Sequence, residues 1–362
     1  MHIKAVFPGQ YIQGPGVLNE LPGLVGTFGS KGLILGSKTV SDRILPRFGS
    51  ELLSQSLPIE LFGGECCEPE LGRVARLIAE RRADILIGMG GGKTIDTAKI
   101  AADRAGIPVI VVPTIASTDA PCSGCAVLYG PEGTFEAVHY QKRNPAVVLV
   151  DVNIIAHAPV RFLAAGMGDA LATWFEARSC KQTQSVNECG GLSTMAGLHL
   201  ARLCYDTLMS HGVQALSDNQ AHAVTQALNC IVEANILLSG LGFESGGLAA
   251  AHAIHNGLTA LDETHGFFHG EKVAFGLLAG LHLEEKMPEE TDAVYHFCHQ
   301  VGLPTTLADI GLGNADPDYL MMAAEKSCAP DQPIHHQPGT ITPEKVLQAL
   351  LRADERGRAS KA

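Results

Sequence analysis

Residues 84–94 read "DILIGMGGGKT", an apolar run that empties into glycines and then into a lysine and a threonine. Helical character follows over "KTIDTAKIAADRA" (93–105), Gly106 stops it, and "IPVIVVP" (107–113) returns to an apolar run. Strand, glycine turn and helix in immediate succession make one βα unit. Upstream, "GLILG" (32–36) and "LPIELF" (57–62) read as strands. "PELGRVARLIAERR" (69–82) reads as a helix with Leu71, Val74, Leu77 and Ile78 on one face. "AVVLVD" (146–151) is a further buried strand. These Ile and Val runs do not alternate with polar residues, so both faces are expected to be covered, as in a parallel sheet between helices. "CAVLYGPEGTFEAVHY" (125–140) differs: two short strands around a Gly-Pro-Glu-Gly turn form a hairpin.

After about residue 158 Ala, Leu and Gly dominate, and segments such as "GMGDALATWFEARS" and "ESGGLAAAHAIHNGL" have helical period. The expected architecture is an α/β domain over 1–158 and an all-α domain over 159–362. The charged tail from Asp354 is expected to fray.

The chain has 362 residues, 46% hydrophobic and 18% charged, which describes a globular protein. Its net charge of −12 argues against nucleic acid and against an anionic membrane surface. The first residues lack the apolar core of a signal peptide, and no stretch approaches the roughly 20 consecutive apolar residues of a membrane helix. Ten cysteines are irregularly spread, as free thiols in a reducing cytoplasm would be. Cys122 and Cys125 form a CxxC without the second pair that a zinc ribbon needs.

The glycine turn fits neither familiar phosphate motif. Gly92-Lys93-Thr94 ends like a Walker loop, but Ile87 stands where its first glycine belongs. Gly88 and Gly90 begin a GxGxxG, but Lys93 stands at the third glycine. The physics common to both motifs is nevertheless present. Glycines let the backbone approach a ligand, and a helix start offers free N–H groups to a phosphate. The loop "VPTIASTDAPCSG" (112–124) brings Thr114, Ser117, Thr118 and Ser123 to the end of the next strand.

Taken with "GGGKTIDTAK" (90–99), "PTIASTDAP" (113–121), "GDALATWFEARS" (168–179), "GLGFESGGLAAAHAIHNGLTAL" (240–261) and "HGEKVAFG" (269–276), the chain resembles the iron-containing (group III) alcohol dehydrogenase superfamily. The resemblance covers nearly the whole chain. It implies a Rossmann-like domain joined to a helical domain, the dehydroquinate synthase-like fold. It also implies NAD-dependent oxidation of glycerol or related vicinal diols, with metal assistance, in a homo-oligomer, commonly an octamer. By resemblance Gly91, Gly92 and Lys93 hold the NAD pyrophosphate, and Thr114, Ser117, Ser123, Cys125 and Tyr129 line the rest of the cofactor. Family members often carry an acid after the first strand; here Ser37 and Lys38 follow "GLILG", so NADP is tolerated beside NAD.

Asp169, His252 and His269 form a carboxylate and two imidazoles, a zinc-type set that leaves one position open. Residue chemistry alone leaves His252, His255, His265 and His269 all eligible; the family register selects His252 and His269. Iron-using relatives usually carry a histidine four residues after the aspartate, where this chain has Thr173, so zinc is expected. Asp119 is the candidate for binding the substrate hydroxyl and relaying its proton; as an ordinary residue it would cap a turn before Pro121. Phe243 is a candidate wall of the substrate pocket. A dehydroquinate synthase-like lyase or a glycerol-phosphate dehydrogenase would need several cations for an anionic substrate, and beyond Lys93 only Lys272 is at hand. A non-enzymatic NAD- and metal-binding protein is the remaining alternative.

Overall fold

The computed structural model describes residues 2–49, 57–130, 134–284 and 288–361. Its strands are β1 (Tyr11–Gly14), β2 (Gly32–Gly36), β3 (Ile59–Leu61), β4 (Ile85–Gly90), β5 (Val109–Pro113), β6 (Cys125–Tyr129), β7 (Phe135–Tyr140) and β8 (Val147–Asp151). Six of them form one sheet in the order β1-β8-β5-β4-β2-β3, with every pair parallel. β6 and β7 pair antiparallel, the expected hairpin, while residues 131–133 of its turn lie outside the described residues.

Side chains of alternate residues divide between two apolar clusters, one on each face of the sheet. Ile34, Ile85, Ile87, Ile110, Val112, Val147 and Leu149 enter the first; Leu33, Leu35, Leu86, Val109 and Val111 enter the second. Double burial is why these strands read as unbroken apolar runs. Helices α1 (Glu68–Arg81) and α2 (Gly92–Ala105) cover the second cluster with Leu71, Val74 and Ile78 and with Ile95, Ala98, Ala101 and Ala102. A Cβ on Gly88 would stand 2.6 Å from the Ala98 methyl, so glycine in β4 is what lets α2 lie this close.

The sheet reverses direction between β2 and β4. From β2 the chain moves outward to β3, then returns to lay β4 and β5 on the other side. At such a switch point the strands' carboxyl ends open a crevice where doubly wound sheets bind ligands. Gly36 is level with Met89, and Ser37 N–H donates to Met89 O at 3.2 Å, so the ends of β2 and β4 are tied together. Gly90 is level with Pro113, which brings the loop after β5 to the same edge.

The remaining helices include α3 (Val160–Thr183), α4 (Met195–Gln220), α5 (Ala250–Leu258), α6 (His269–Leu281), α7 (Pro288–Val301), α8 (Pro317–Ser327) and α9 (Pro343–Lys361). The helical run Gln226–Gly246 has the length and mean hydropathy (1.2) of a membrane span, but 67% of its apolar window is buried within the fold, as in a core helix. The tail does not fray: α9 runs to Lys361, whose ammonium lies 2.6 Å from Asp309 Oδ2, and Gly357 packs against Thr305 O.

Contacts group the chain into two compact units, neither continuous in sequence. One comprises Phe7–Pro159 and Asp218–Gly240, the other Met1–Val6, Val160–Ser217 and Leu241–Ala362. In the first, Gln13 donates to Asn229 O at 3.0 Å, Asn235 to Ala116 O at 3.0 Å and Asn219 to Ile155 O at 2.9 Å. In the second, Asn187 donates to Lys4 O at 2.8 Å.

Candidate active site

Asp169 lies on α3, His252 on α5 and His269 at the first position of α6. Three helices can present side chains to one point only if their backbones approach closely, and small residues beside the ligands permit it. A Cβ on Gly168 would meet Gly270 O at 2.4 Å, and one on Gly270 would meet Ala165 O at 1.8 Å. On the third side a Cβ on Gly276 would meet Ala251 O at 2.5 Å. Glycines thus stand next to Asp169, next to His269 and opposite the residue before His252.

The result is a cluster whose ligand atoms all lie within 4.8 Å of one another, the one such His/Cys/Asp/Glu group among the described residues. Asp169 Oδ1 lies 3.1 Å from His269 Nε2 and 3.4 Å from His252 Nε2. Asp169 is fully buried, His252 nearly so, and His269 is part-exposed. Burial would raise the Asp169 pKa, but His269 and His252 pull it well below the usual carboxylate range. Burial likewise opposes charge on His252, yet Glu176 and Asp169 carry its pKa well above the usual imidazole value. Both shifts favour positive charge between these groups, and one carboxylate oxygen and two Nε2 atoms at these distances could hold a divalent cation.

Glu176 was not visible as a participant in the sequence. It sits two turns after Asp169 on α3, accepts the N–H groups of Ala249 and His252 at 2.8 and 3.0 Å, and lies 2.6 Å from His252 Nδ1. A carboxylate on Nδ1 directs the lone pair of Nε2 toward a metal. His255 lies behind His269, with Nε2 3.1 Å from His269 Nδ1. Burial, reinforced by His269, Lys272 and His252, holds its pKa well below the usual value. His265 stands apart, exposed, with Nε2 at 3.1 Å from Thr259 O. Phe243 is buried, and Lys272 is buried with its pKa lowered by that burial.

In the other unit, the N-terminus of α2 follows the glycine turn at the switch point. Gly91 is its N-cap and no side chain caps it. The first N–H groups of a helix have no partner within it. A Cβ on Gly92 would meet nothing within 4 Å, so space lies ahead of these donors. Lys93 turns to Glu65, Nζ to Oε2 at 2.5 Å, and stands 5.1 Å from the centre of the Tyr129 ring. Burial, then Asp96 and Glu65, push the Tyr129 hydroxyl well up, so it keeps its proton.

The loop after β5 starts with Thr114 N–H on Gly90 O at 3.0 Å. Ser117 and Cys125 are half-buried and Ser123 is fully buried. Lys99 of α2, fully buried, donates to Ala120 O at 2.9 Å, Cys125 O at 2.5 Å and Ser123 Oγ at 3.3 Å, cross-linking the loop to the helix. Nothing in the sequence separates Lys99 from a solvated lysine except its place among Ala98, Ile100 and Ala101. Asp119 is buried, and Ser239 Oγ donates to its Oδ2 at 2.8 Å.

Residues 8–152 match the family described as iron-containing alcohol dehydrogenase. The chain is 51% identical over 362 residues to the glycerol dehydrogenase of Thermotoga maritima, covering 100% of this chain and 99% of that one. It is similar to the crystal structure of a probable glycerol dehydrogenase from Sinorhizobium meliloti 1021, with a TM-score of 0.93, 45% identity and 99% of both chains covered. It is also similar to the glycerol dehydrogenase structure from Schizosaccharomyces pombe, with a TM-score of 0.92, 35% identity, and 99% of this chain and 91% of that one covered.

Proposed function

The chain belongs to the iron-containing alcohol dehydrogenase family, and from that premise we propose that it oxidises glycerol to dihydroxyacetone with NAD. The observation that carries this reading is the Asp169, His252 and His269 cluster, with His269 part-exposed, in a chain that also has an uncapped helix start at a sheet switch point.

Asp169, His252 and His269 would hold a divalent ion; Gly91, Gly92 and the N-terminus of α2 would take the cofactor's phosphates, with Thr114, Ser117, Ser123, Cys125 and Tyr129 along its remainder. Lys93 would contribute its backbone N–H, since its ammonium is engaged by Glu65. Once bound, the ion supplies a Lewis acid that lowers the pKa of an alcohol, and NAD supplies the hydride acceptor. Oxidising a secondary alcohol also releases a hydroxyl proton, and Asp119 is the proposed group that binds the substrate hydroxyl and passes that proton on. Ser239, donating to Asp119 Oδ2, fixes the carboxylate's orientation. Glu176, at 2.6 Å from His252 Nδ1, would leave the Nε2 lone pair of His252 for the ion.

Zinc is the proposed metal, because the set has three ligands and the position one turn after Asp169 is the buried Thr173. NAD is proposed over NADP: Lys38, the cation nearest the end of β2, is paired with Asp42 at 2.7 Å, which returns a carboxylate to that edge. Ten cysteines spread irregularly along the chain suit the reducing cytoplasm. A homo-oligomer would cover such exposed apolar side chains of the helical unit as Ile3, Met195 and Leu203.

The test is a turnover screen of glycerol, 1,2-propanediol and 2,3-butanediol with NAD and with NADP, before chelation, after it, and after zinc is restored. Reduced cofactor that disappears with chelation and returns with zinc is expected. No reduced cofactor from any diol would remove the reading and favour a lyase.

A further inference from the structure

Three residues outside the ligand set are joined end to end behind His269. Asn256 Nδ2 donates to Gln332 Oε1 at 2.8 Å, Asn256 Oδ1 lies 3.0 Å from His255 Nδ1, and His255 Nε2 lies 3.1 Å from His269 Nδ1. An amide carries a donor at one end and an acceptor at the other, and so does a neutral imidazole. Such a chain can be ordered in only two senses. In one, His255 Nδ1–H donates to Asn256 Oδ1, and His269 Nδ1–H donates to His255 Nε2. The lone pair of His269 then rests on Nε2, the atom that lies 3.1 Å from Asp169 Oδ1. In the other sense every bond reverses. Asn256 turns its NH2 to His255, His255 Nε2–H donates to His269 Nδ1, and His269 Nε2 carries a hydrogen and cannot bind a metal.

We propose that Gln332, Asn256 and His255 form an ordered hydrogen-bond relay that holds His269 in its metal-ligating tautomer, and that the hydrogen-bonding character of residue 332 decides the sense of that order. The relay rests on the metal reading above. These are positioning residues: they act through His269. His252 has a carboxylate on its Nδ1 for the same purpose, Glu176 at 2.6 Å, whereas among the described residues the Nδ1 of His269 meets this chain of neutral groups. A neutral relay can be reversed from its far end, which a carboxylate cannot.

The experiment replaces Gln332 by an acceptor without a donor, Gln332→Glu, by a donor without an acceptor, Gln332→Lys, and by the apolar Gln332→Met, in the full chain. Zinc affinity is read by competition with a chromophoric chelator, with thermal unfolding as a check on folding. Gln332→Glu is expected to bind zinc like the parent, Gln332→Lys about tenfold more weakly, in the range typical for lost outer-shell support, and Gln332→Met in between. Through-space charge alone would give the first two the same signs, so affinities are compared at low and at high salt. Charge at this half-buried position is screened only in part, so the tautomer is read as well: in the zinc-free chain the hydrogen of His269 is expected on Nδ1 in Gln332→Glu and on Nε2 in Gln332→Lys, which through-space charge alone does not impose. Nitrogen-15 histidine spectra of the zinc-loaded parent are expected to show the hydrogen of His269 on Nδ1. Equal affinities for Gln332→Glu and Gln332→Lys, or a gap that closes at high salt, overturns the relay while leaving the metal site standing. A parent that binds zinc no better than Asp169→Ala overturns both.

Discussion

Gly92 stands where the helix α2 begins, and a methyl group there would meet nothing within 4 Å beyond its chain neighbours and its own helix backbone. Gly92→Ala is therefore expected to leave the unfolding midpoint close to that of the parent while raising the KM for NAD. Losing one charge-assisted N–H contact to phosphate is worth ~1.5–3 kcal/mol, about tenfold or more. An unchanged KM would take the pyrophosphate off this turn. Asp169→Ala and His269→Ala are expected to lower kcat/KM with glycerol by several orders of magnitude, as loss of a Lewis acid worth several kcal/mol would. Activity near the parent's in either variant would end the metal reading. Residue types at this scale were legible, but geometry was not. Four histidines looked alike in sequence. What separates them is that His252 and His269 share Asp169, His255 stands behind His269, and His265 faces solvent. Glu176 and Lys99 could not be singled out, because each acts only after a second element has folded against its own.

Elements were read with more success where one physical signal dominated. Glycine ends α2 because Gly106 takes φ +70°, a left-handed conformation, and apolar runs buried on both faces marked β4, β5 and β8. β1 went unread: "YIQG" is four residues long with only one buried-strand residue type, and it forms by pairing with β8. The last helix was misread for the opposite reason, since charge near its end is consumed by partners distant in sequence. Asp309 accepts from Lys361 and from the N–H groups of Thr305 and Thr306. Burial would raise its pKa, but these donors bring it down to about 2. Because the folded value lies below an unfolded value near ~3.9, the carboxylate contributes stability above about pH 4, and this is lost as the pH falls toward ~2. Asp309→Asn is expected to lower the denaturant midpoint at pH 6, with the gap to the parent closing in acid. A gap that widens in acid would contradict this. At the contact of α3 with α6, Gly270→Ala would press a methyl group to 1.8 Å from Ala165 O. A loss of ~1–3 kcal/mol or more in denaturant unfolding is expected, together with weaker zinc binding, because the same contact brings Asp169 to His269.

For the molecule as a whole, composition and the change of texture after residue 158 were enough to separate a sheet-bearing part from a helical part. They were not enough to show that residues 218–240 return to the sheet-bearing unit. An amphipathic helix has the same period whichever neighbour covers its apolar face, so this exchange leaves no mark in the sequence. A fragment ending at Pro159 would lack the amide donors of Asn219 and Asn235 and the Ser239 hydroxyl on Asp119. It is expected to be insoluble or to show the broad, uncooperative melting of a loosely packed state. A fragment of residues 7–240, which restores these bonds, is expected to melt more cooperatively. Equal behaviour of the two would show that the returning segment contributes nothing to that unit.

The same return has a consequence in time. Proteins emerge from the ribosome amino end first, and a domain can close only when its last contributing segment has emerged. Here the sheet is made by Asp151, but the helix that completes its unit arrives only at residues 218–240, after the first helices of the other half have been synthesised. The nascent chain is therefore expected to carry two half-finished cores at once, with apolar surface left uncovered until residue 240 has emerged.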